Sequence, residues 1–449
     1  MLNVESWMLN VRLSGLISAF SFPNFSFEMN TPRSFLFATL LSALFVSAAY
    51  AQGERRESLA GEKAEERAKL EELPNTYNLH FSRISYSIGV NLRTEFSDNA
   101  LYTKVNRKTD LVLWPEVRFN GIYPITDINS LTMSLGVGYA YHTFKELNGD
   151  SPLINPDSEL ALLVYSGNFR FRLSDRFSYQ ETLYYGSSID YKTGDFINLN
   201  NLGVAQRFQN NAGLMVDWDL NDLVLNFAYS HENFISFTEV LNYLTRASEK
   251  VTVVANLYAT PKIRYGLESE ASWNAYETKT LPDHWRTRVG PFLDVPVTPV
   301  FNFRVGGGYE TVLFASTGKY SADISDYYAY GRVAHRLNQF LTYGLSAGHE
   351  NQLGWSAANS SQTYVRLNFQ WFFLRQIELS NFFSMGLANE YGGPYREEYS
   401  YYQPGLQLGW HVTKRSTVRF SYTFTQKDSA NLLLNYYENR LSLAYDLRW

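Results

Sequence analysis

The chain has 449 residues, is 16% aromatic, carries a net charge of −5 and contains no cysteine. That charge balance gives no electrostatic case for nucleic acid, and the missing cysteines exclude disulfides and thiolate metal sites. Mean hydropathy is −0.27 and no long apolar run follows residue 52, which argues against helical membrane spans.

The one apolar run, Phe35 to Ala48, follows Met29-Asn-Thr-Pro-Arg33 and ends in Ala49-Tyr50-Ala51. A basic n-region, a short apolar core and a small-x-small exit predict a secretory signal peptide over 29–51. Residues 1–28 then read as an N-terminal extension with Met29 as the natural start. Residues 52–77 are rich in charge and helix formers, with a weak apolar stripe of Leu59, Leu70 and Leu73. They are expected to form a partly helical periplasmic tail, or else a plug for the domain C-terminal to them or a handle for a periplasmic partner.

Residues 78–449 read as one all-β domain. Side chains alternate faces along a strand, so period-two alternation marks half-buried strands. Leu131 to Tyr139 alternates in this way, as do Leu163 to Arg172, Tyr364 to Trp371 and Val418 to Thr425. Tight connections are expected at 124–129, 174–176, 221–223, 260–262, 298–300, 337–339, 374–376 and 413–416. Longer polar ones are expected near 98–108, 145–157, 192–202, 236–248, 277–284, 315–324, 352–362, 390–398 and 426–431. The two kinds alternate and separate about 18 strands (16–18). Short turns on one side and long loops on the other describe a transmembrane antiparallel up-and-down β-barrel with both termini periplasmic. A soluble sandwich would have to hide so many aromatic faces in a core, and no blade repeat points to a propeller.

Aromatic girdles are expected at Phe301, Phe303, Phe340, Tyr343, Phe372, Phe373 and Trp410 beside tight turns. On the side of the longer loops they are expected at Trp273, Tyr309, Tyr391 and Tyr437. The last strand carries Leu441, Leu443, Tyr445, Leu447 and Trp449 on one parity. Ending on an aromatic residue within an amphipathic strand predicts a membrane-insertion signal in Tyr445, Leu447 and Trp449, read by the barrel-insertion machinery.

The opposite parity points inward. Near tight turns it carries Arg118, Arg170, Arg172, Arg264, Arg304, Arg332, Arg336, Arg419 and Arg448, with Arg366 further along and Glu310 and Glu350 nearer the outer mouth. Inward Arg93, Arg286 and Arg288 complete the set of arginines. The other inward acids are Glu116, Asp217, Glu268, Glu270, Asp294, Glu378 and Asp446. Such residues either line a pore biased toward anions or brace the wall by pairing. Inward Trp114, Phe292, Tyr328 and Tyr364 either stack on sugar rings or fill space. No longer loop stands out as a constriction.

No catalytic constellation is present. Gly344-Leu-Ser346-Ala-Gly348 matches a nucleophile elbow but lies mid-strand, and Gly306-Gly307-Gly308 precedes no helix. The seven histidines show no metal spacing, so no cofactor is expected.

Val90-Asn-Leu-Arg-Thr-Glu95-Phe-Ser-Asp98-Asn99-Ala-Leu-Tyr102, followed by Asp110-Leu-Val-Leu-Trp-Pro115-Glu-Val-Arg-Phe119, resembles the β-barrel porin-2 family of outer-membrane proteins. The resemblance covers about residues 82–449 and implies an outer-membrane barrel. Some members are encoded beside exopolysaccharide genes, which implies a polysaccharide conduit as an alternative. The expected function is a porin-like channel in outer-membrane lipid for small polar or anionic solutes. The alternatives are exopolysaccharide export and a structural or adhesive barrel with a blocked lumen.

Overall fold

The structure, a computed structural model, describes residues 77–100, 102–143, 150–180, 206–237, 239–260, 263–278, 280–298, 300–315, 323–354, 357–393 and 396–449. The N-terminal extension, the signal peptide and all but the last residue of the charged tail lie outside them, as does the loop expected at 192–202.

The strands are β1 (Leu79–Phe81), β2 (Ile84–Ser97), β3 (Asp110–Pro124), β4 (Ser130–His142), β5 (Ser151–Ile154), β6 (Glu159–Ser166) and β7 (Phe169–Gln180). Next come β8 (Arg207–Asp219), β9 (Leu223–Ser236), β10 (Arg246–Tyr258), β11 (Arg264–Tyr276), β12 (His284–Thr298) and β13 (Phe301–Phe314). The series ends with β14 (Ile324–Arg336), β15 (Leu341–Leu353), β16 (Asn359–Leu374), β17 (Ile377–Tyr391), β18 (Glu397–His411), β19 (Ser416–Ser429) and β20 (Tyr436–Arg448). All belong to one antiparallel sheet that closes where β2 pairs with β20. β5 and β6 share one place beside β4, and β1 only extends the edge of β2. Twenty strands, with β1 set aside and β5–β6 counted once, make an eighteen-strand wall.

The turns carry their own reasons. The Asn338 side-chain oxygen accepts from the backbone of Phe340 and Leu341 at 2.8 and 2.9 Å. Asn221 sits at φ +69°, a left-handed conformation that asparagine tolerates. One turn differs from expectation. The chain reverses at Gly167-Asn168, with Gly167 at φ +57°, and residues 174–176 lie inside β7. A Gly-Asn pair makes a two-residue hairpin, so the alternation from Leu163 to Arg172 belongs to two strands, not one. Leu163 and Tyr165 therefore face inward, opposite Arg172 and Arg170.

Between β5 and β6, residues 155–158 stand opposite only Leu135 and Gly136. The interruption is pinned. Asn155 donates its backbone N–H to the Gly136 carbonyl at 2.9 Å and its side-chain amide to Glu116 at 2.8 Å. Gly136 in turn donates to the Ser158 hydroxyl at 3.1 Å.

Outward residues are apolar and exposed, among them Leu92, Val117, Leu173, Leu267, Val289, Leu387 and Leu443. A closed sheet with this exterior leaves no unpaired edge for lipid to meet, which is the arrangement of outer-membrane barrels. Among the girdle residues, Phe340, Phe373, Trp410, Tyr309 and Tyr437 are exposed. Two are not girdle residues. Phe372 stands opposite the inward Glu378, and Tyr391 packs against an internal apolar cluster.

The triple glycine serves a close approach of two backbones. A Cβ on Gly308 would overlap the Val289 carbonyl oxygen and the Gly290 Cα across the β12–β13 ladder. Gly308→Ala is expected to cost about 1–3 kcal/mol through this overlap. Urea unfolding of the refolded barrel reads the loss, and an unchanged midpoint would rule out the close-approach account.

Candidate functional site

Inward side chains divide the lumen into two halves. Toward the tight turns the arginines are partly open to solvent while carboxylates such as Asp217 and Asp294 are buried; toward the long loops the buried set includes Glu310, Gln362, Glu390, Gln403, Lys427 and Glu438.

The turn half holds the sequence-predicted arginines, and most face a carboxylate. Arg118 binds Glu116 at 2.6 Å, Arg170 binds Asp217 at 2.6 Å and Arg264 binds Asp294 at 2.5 Å. Arg172 binds Glu159 at 2.9 Å, Arg304 binds Glu268 at 3.3 Å, and Arg419 pairs with Asp446. Arg332 lies 5.1 Å over the Tyr330 ring and Arg366 lies 4.0 Å over Tyr364. Arg336 and Arg448 are exposed beside turns. Of the two acids, Glu350 lies 3.8 Å from Arg288, and Glu310 lies 3.8 Å from Arg286.

The four inward aromatics are buried, and a guanidinium covers each. Arg93 lies 4.7 Å over Trp114, Arg304 4.8 Å over Phe292, Arg288 5.6 Å over Tyr328, and Arg366 over Tyr364. A ring face occupied by a cation is not free to stack on a sugar, so these rings act as supports for the arginines.

On the β10–β16 side the turn half encloses a cavity of about 1140 Å³. Arg264, Arg288, Arg304, Arg332, Arg336 and Arg366 line it against Glu268, Glu270, Asp294 and Glu350. Six arginines against four carboxylates leave a surplus of two positive charges. Tyr330 links the sets, donating its hydroxyl to Glu268 at 2.8 Å and accepting from Arg304 at 3.3 Å.

A lid stands above this cavity. β15 pairs with β14 only as far as Ala329 opposite His349, yet continues against β16 to Leu353 opposite Asn359. Residues 350–353 thus leave the wall, and Ala358, immediately before the returning strand, lies inside it. There the Asn351 carbonyl accepts from Arg286 at 2.9 Å, and the Asn351 backbone N–H donates to Glu310 at 3.3 Å. The Tyr276 hydroxyl donates to the Ala358 carbonyl at 3.3 Å. Phe234, Leu244, Leu281, Val312 and Phe314 pack with Ala358 into an apolar cluster. A Cβ on Gly393 would come within 2.7 Å of Leu281, so the loop after β17 joins the one after β11. The sequence singled out no constriction loop, whereas the β15–β16 hairpin folds against the inner face of β11–β13.

Tyr445, Leu447 and Trp449 lie along the seam. Trp449 donates its backbone N–H to the Ile88 carbonyl at 2.8 Å and accepts from Ile88 at 3.3 Å. The opposite end of the seam is tied by the Asp98-Asn99 pair of the first loop. Asp98 accepts from the backbone and side chain of Asn439, both at 2.7 Å, and the buried Asn99 donates to the Tyr437 carbonyl at 2.8 Å.

Glu159, Arg246 and Arg207 are among the inward charged side chains that escaped the sequence reading. Glu159, the partner of Arg172, comes two residues after the loop expected at 145–157. Arg246, which opens β10, fell within the loop expected at 236–248. Arg207 opens β8 on the parity of Asp217, which was the available signal.

No family model and no curated protein matches the chain. Solved structures similar to it include Pseudomonas aeruginosa OpdK with vanillate, at 8% identity and TM-score 0.46, covering 81% of this chain and 99% of that one. Pseudomonas aeruginosa OccK2 (OpdF) in complex with glucuronate is similar at 8% identity and TM-score 0.48, covering 83% and 100%. Acinetobacter baumannii OccAB3 is similar at 9% identity and TM-score 0.46, covering 81% and 99%.

Proposed function

We propose that the chain is an outer-membrane, porin-like barrel that passes small anionic or polar solutes by diffusion, with its tight turns and both termini toward the periplasm. The observation that carries this reading is the arginine-rich cavity in the turn half, whose net positive wall attracts anions in a low-dielectric surround. The alternation of short turns and long loops supports the orientation. The likeness of residues 90–119 to the β-barrel porin-2 family supports the outer-membrane assignment. Barrel-insertion machinery would act on the strand that ends at Trp449.

The lid favours small solutes over a polymer, because a hairpin folded across the lumen leaves little room for a continuous chain. It equally supports a second reading, a barrel whose lumen is blocked.

Planar-bilayer recording of the refolded protein separates them. Wild type is expected to give discrete anion-preferring steps, and deleting residues 354–358 is expected to enlarge them severalfold by removing the lid tip. Arg332→Glu, which turns one cationic wall position acidic, is expected to move the reversal potential toward cations. Silence in wild type with steps only after the deletion supports the blocked lumen; silence in both sinks the channel.

A further inference from the structure

Arg207 is the odd arginine of the lumen. It opens β8 on the inward parity, in register with Ser236 of β9 and Gln180 of β7. It is 6% exposed. Among the described residues its one polar partner is Gln209, whose side-chain oxygen accepts from Nε at 3.1 Å, while Nη1 is buried with no acceptor. No carboxylate among the described residues lies within ion-pair distance of it.

The neighbouring charge makes the position more costly. Arg246, inward at the start of β10, acts on Arg207 as a like charge. Arg246 has only a loose counter-charge, Glu232 at 3.5 Å, and otherwise donates to the Leu244 carbonyl at 3.4 Å and covers the Phe234 ring at 4.5 Å. Its Nε is also buried without an acceptor among the described residues. The turn-half arginines show how this wall treats a cation it means to neutralise, with a carboxylate at 2.5–3.3 Å. Among the described residues, Arg207 and Arg246 have no carboxylate that close. A buried guanidinium without an anion is among the most expensive states a protein interior holds.

We infer that Arg207, with Arg246 beside it, forms an oxyanion-binding subsite in the loop half of the lumen, which takes the carboxylate or phosphoryl group of a small solute as the missing counter-charge. The planar fork of a guanidinium matches both groups in two-point fashion. Gln209 and Ser236 add polar surface beside it. Whereas the arginine-rich cavity lies toward the tight turns, the subsite lies at the loop end of β8. Its existence does not depend on whether the barrel conducts.

The test is equilibrium unfolding in urea of the refolded full-length barrel, titrated separately with sodium acetate and sodium phosphate against sodium chloride at equal ionic strength. Wild type is expected to show a saturable rise in midpoint with at least one of the two oxyanions and not with chloride. A response to acetate alone, to phosphate alone or to both names the group and supports the subsite. Arg207→Gln and Arg207→Met are expected to lose the rise while unfolding no earlier than wild type in chloride, because they remove an uncompensated buried charge. If wild type responds to neither oxyanion, or the variants keep the response, the inference is overturned. It is equally overturned if both variants unfold earlier than wild type in chloride, since that identifies Arg207 as a brace. Bilayer recording of the same samples reports conduction separately, so failure of the subsite and failure of the channel reading remain distinguishable.

Discussion

Removal of residues 445–449 is expected to abolish the folded barrel, with heat-modifiable, protease-resistant protein falling about tenfold or more. The segment supplies four of the nine residue pairs that join β20 to β2, from Leu92 opposite Tyr445 to Gly89 opposite Arg448. It also supplies both backbone hydrogen bonds between Trp449 and Ile88. Without it β2 faces lipid with unpaired N–H and C=O groups, each costing several kcal/mol in hydrocarbon. The Asp98–Asn439 tie at the opposite end cannot replace those bonds, because it fixes the loop end alone. Trp449→Ala, which keeps the backbone, separates two roles. If assembly in cells fails while refolding in detergent succeeds, Trp449 is an address for the insertion machinery. If both succeed, that role is refuted.

The second large effect is expected at Glu270. It is 6% exposed and binds Arg286 at 2.8 Å and Arg288 at 3.2 Å, with Lys250 at 4.0 Å. The same arginines reach Glu310 and Glu350, each at 3.8 Å, so Glu270 is the centre of the network between cavity and lid. Glu270→Ala leaves two half-buried guanidinium groups short of their nearest anion, and breaking a buried pair in this way costs about 3–5 kcal/mol. Glu270→Gln keeps the shape and one acceptor and is expected to lose less. Both add one positive charge to the cavity wall and are expected to raise anion preference in the bilayer. A wild-type urea midpoint for Glu270→Ala would show that the network contributes little.

The wall was legible because a barrel strand has two different environments, and its residues record them in alternation. Tyr364 to Trp371 and Val418 to Thr425 fall within β16 and β19 with the faces that the sequence predicts. The turn at Gly167-Asn168 was missed because Leu163 and Tyr165 are apolar yet inward, so the alternation ran on through the hairpin. The lid was hidden for a different reason. Residues 350–353 stay paired with 359–362 in register with the rest of the β15–β16 ladder, so parity does not change where the hairpin leaves the wall. Its inward course is fixed by distant partners, Arg286, Glu310 and Tyr276, which no local pattern announces. The arginines of the site were readable as inward residues, but their partners were not. Arg304 of β13 reaches past β12 to Glu268 of β11, a contact set by strand stagger rather than by spacing along the chain.

The interruption between β5 and β6 also bears on how such a wall tolerates change in length. Four residues stand where the neighbouring strand has two, a surplus of two, which is one full repeat of the strand pattern. Ser151 and Leu153 before it and Ala161 after it are therefore all buried on the inner side, as though nothing had been inserted. A surplus of one would exchange the inner and outer faces of everything downstream as far as the next turn. Lengthening this wall by pairs of residues is thus nearly invisible to lipid and lumen alike, whereas an odd insertion at the same place would turn Glu159 toward the membrane.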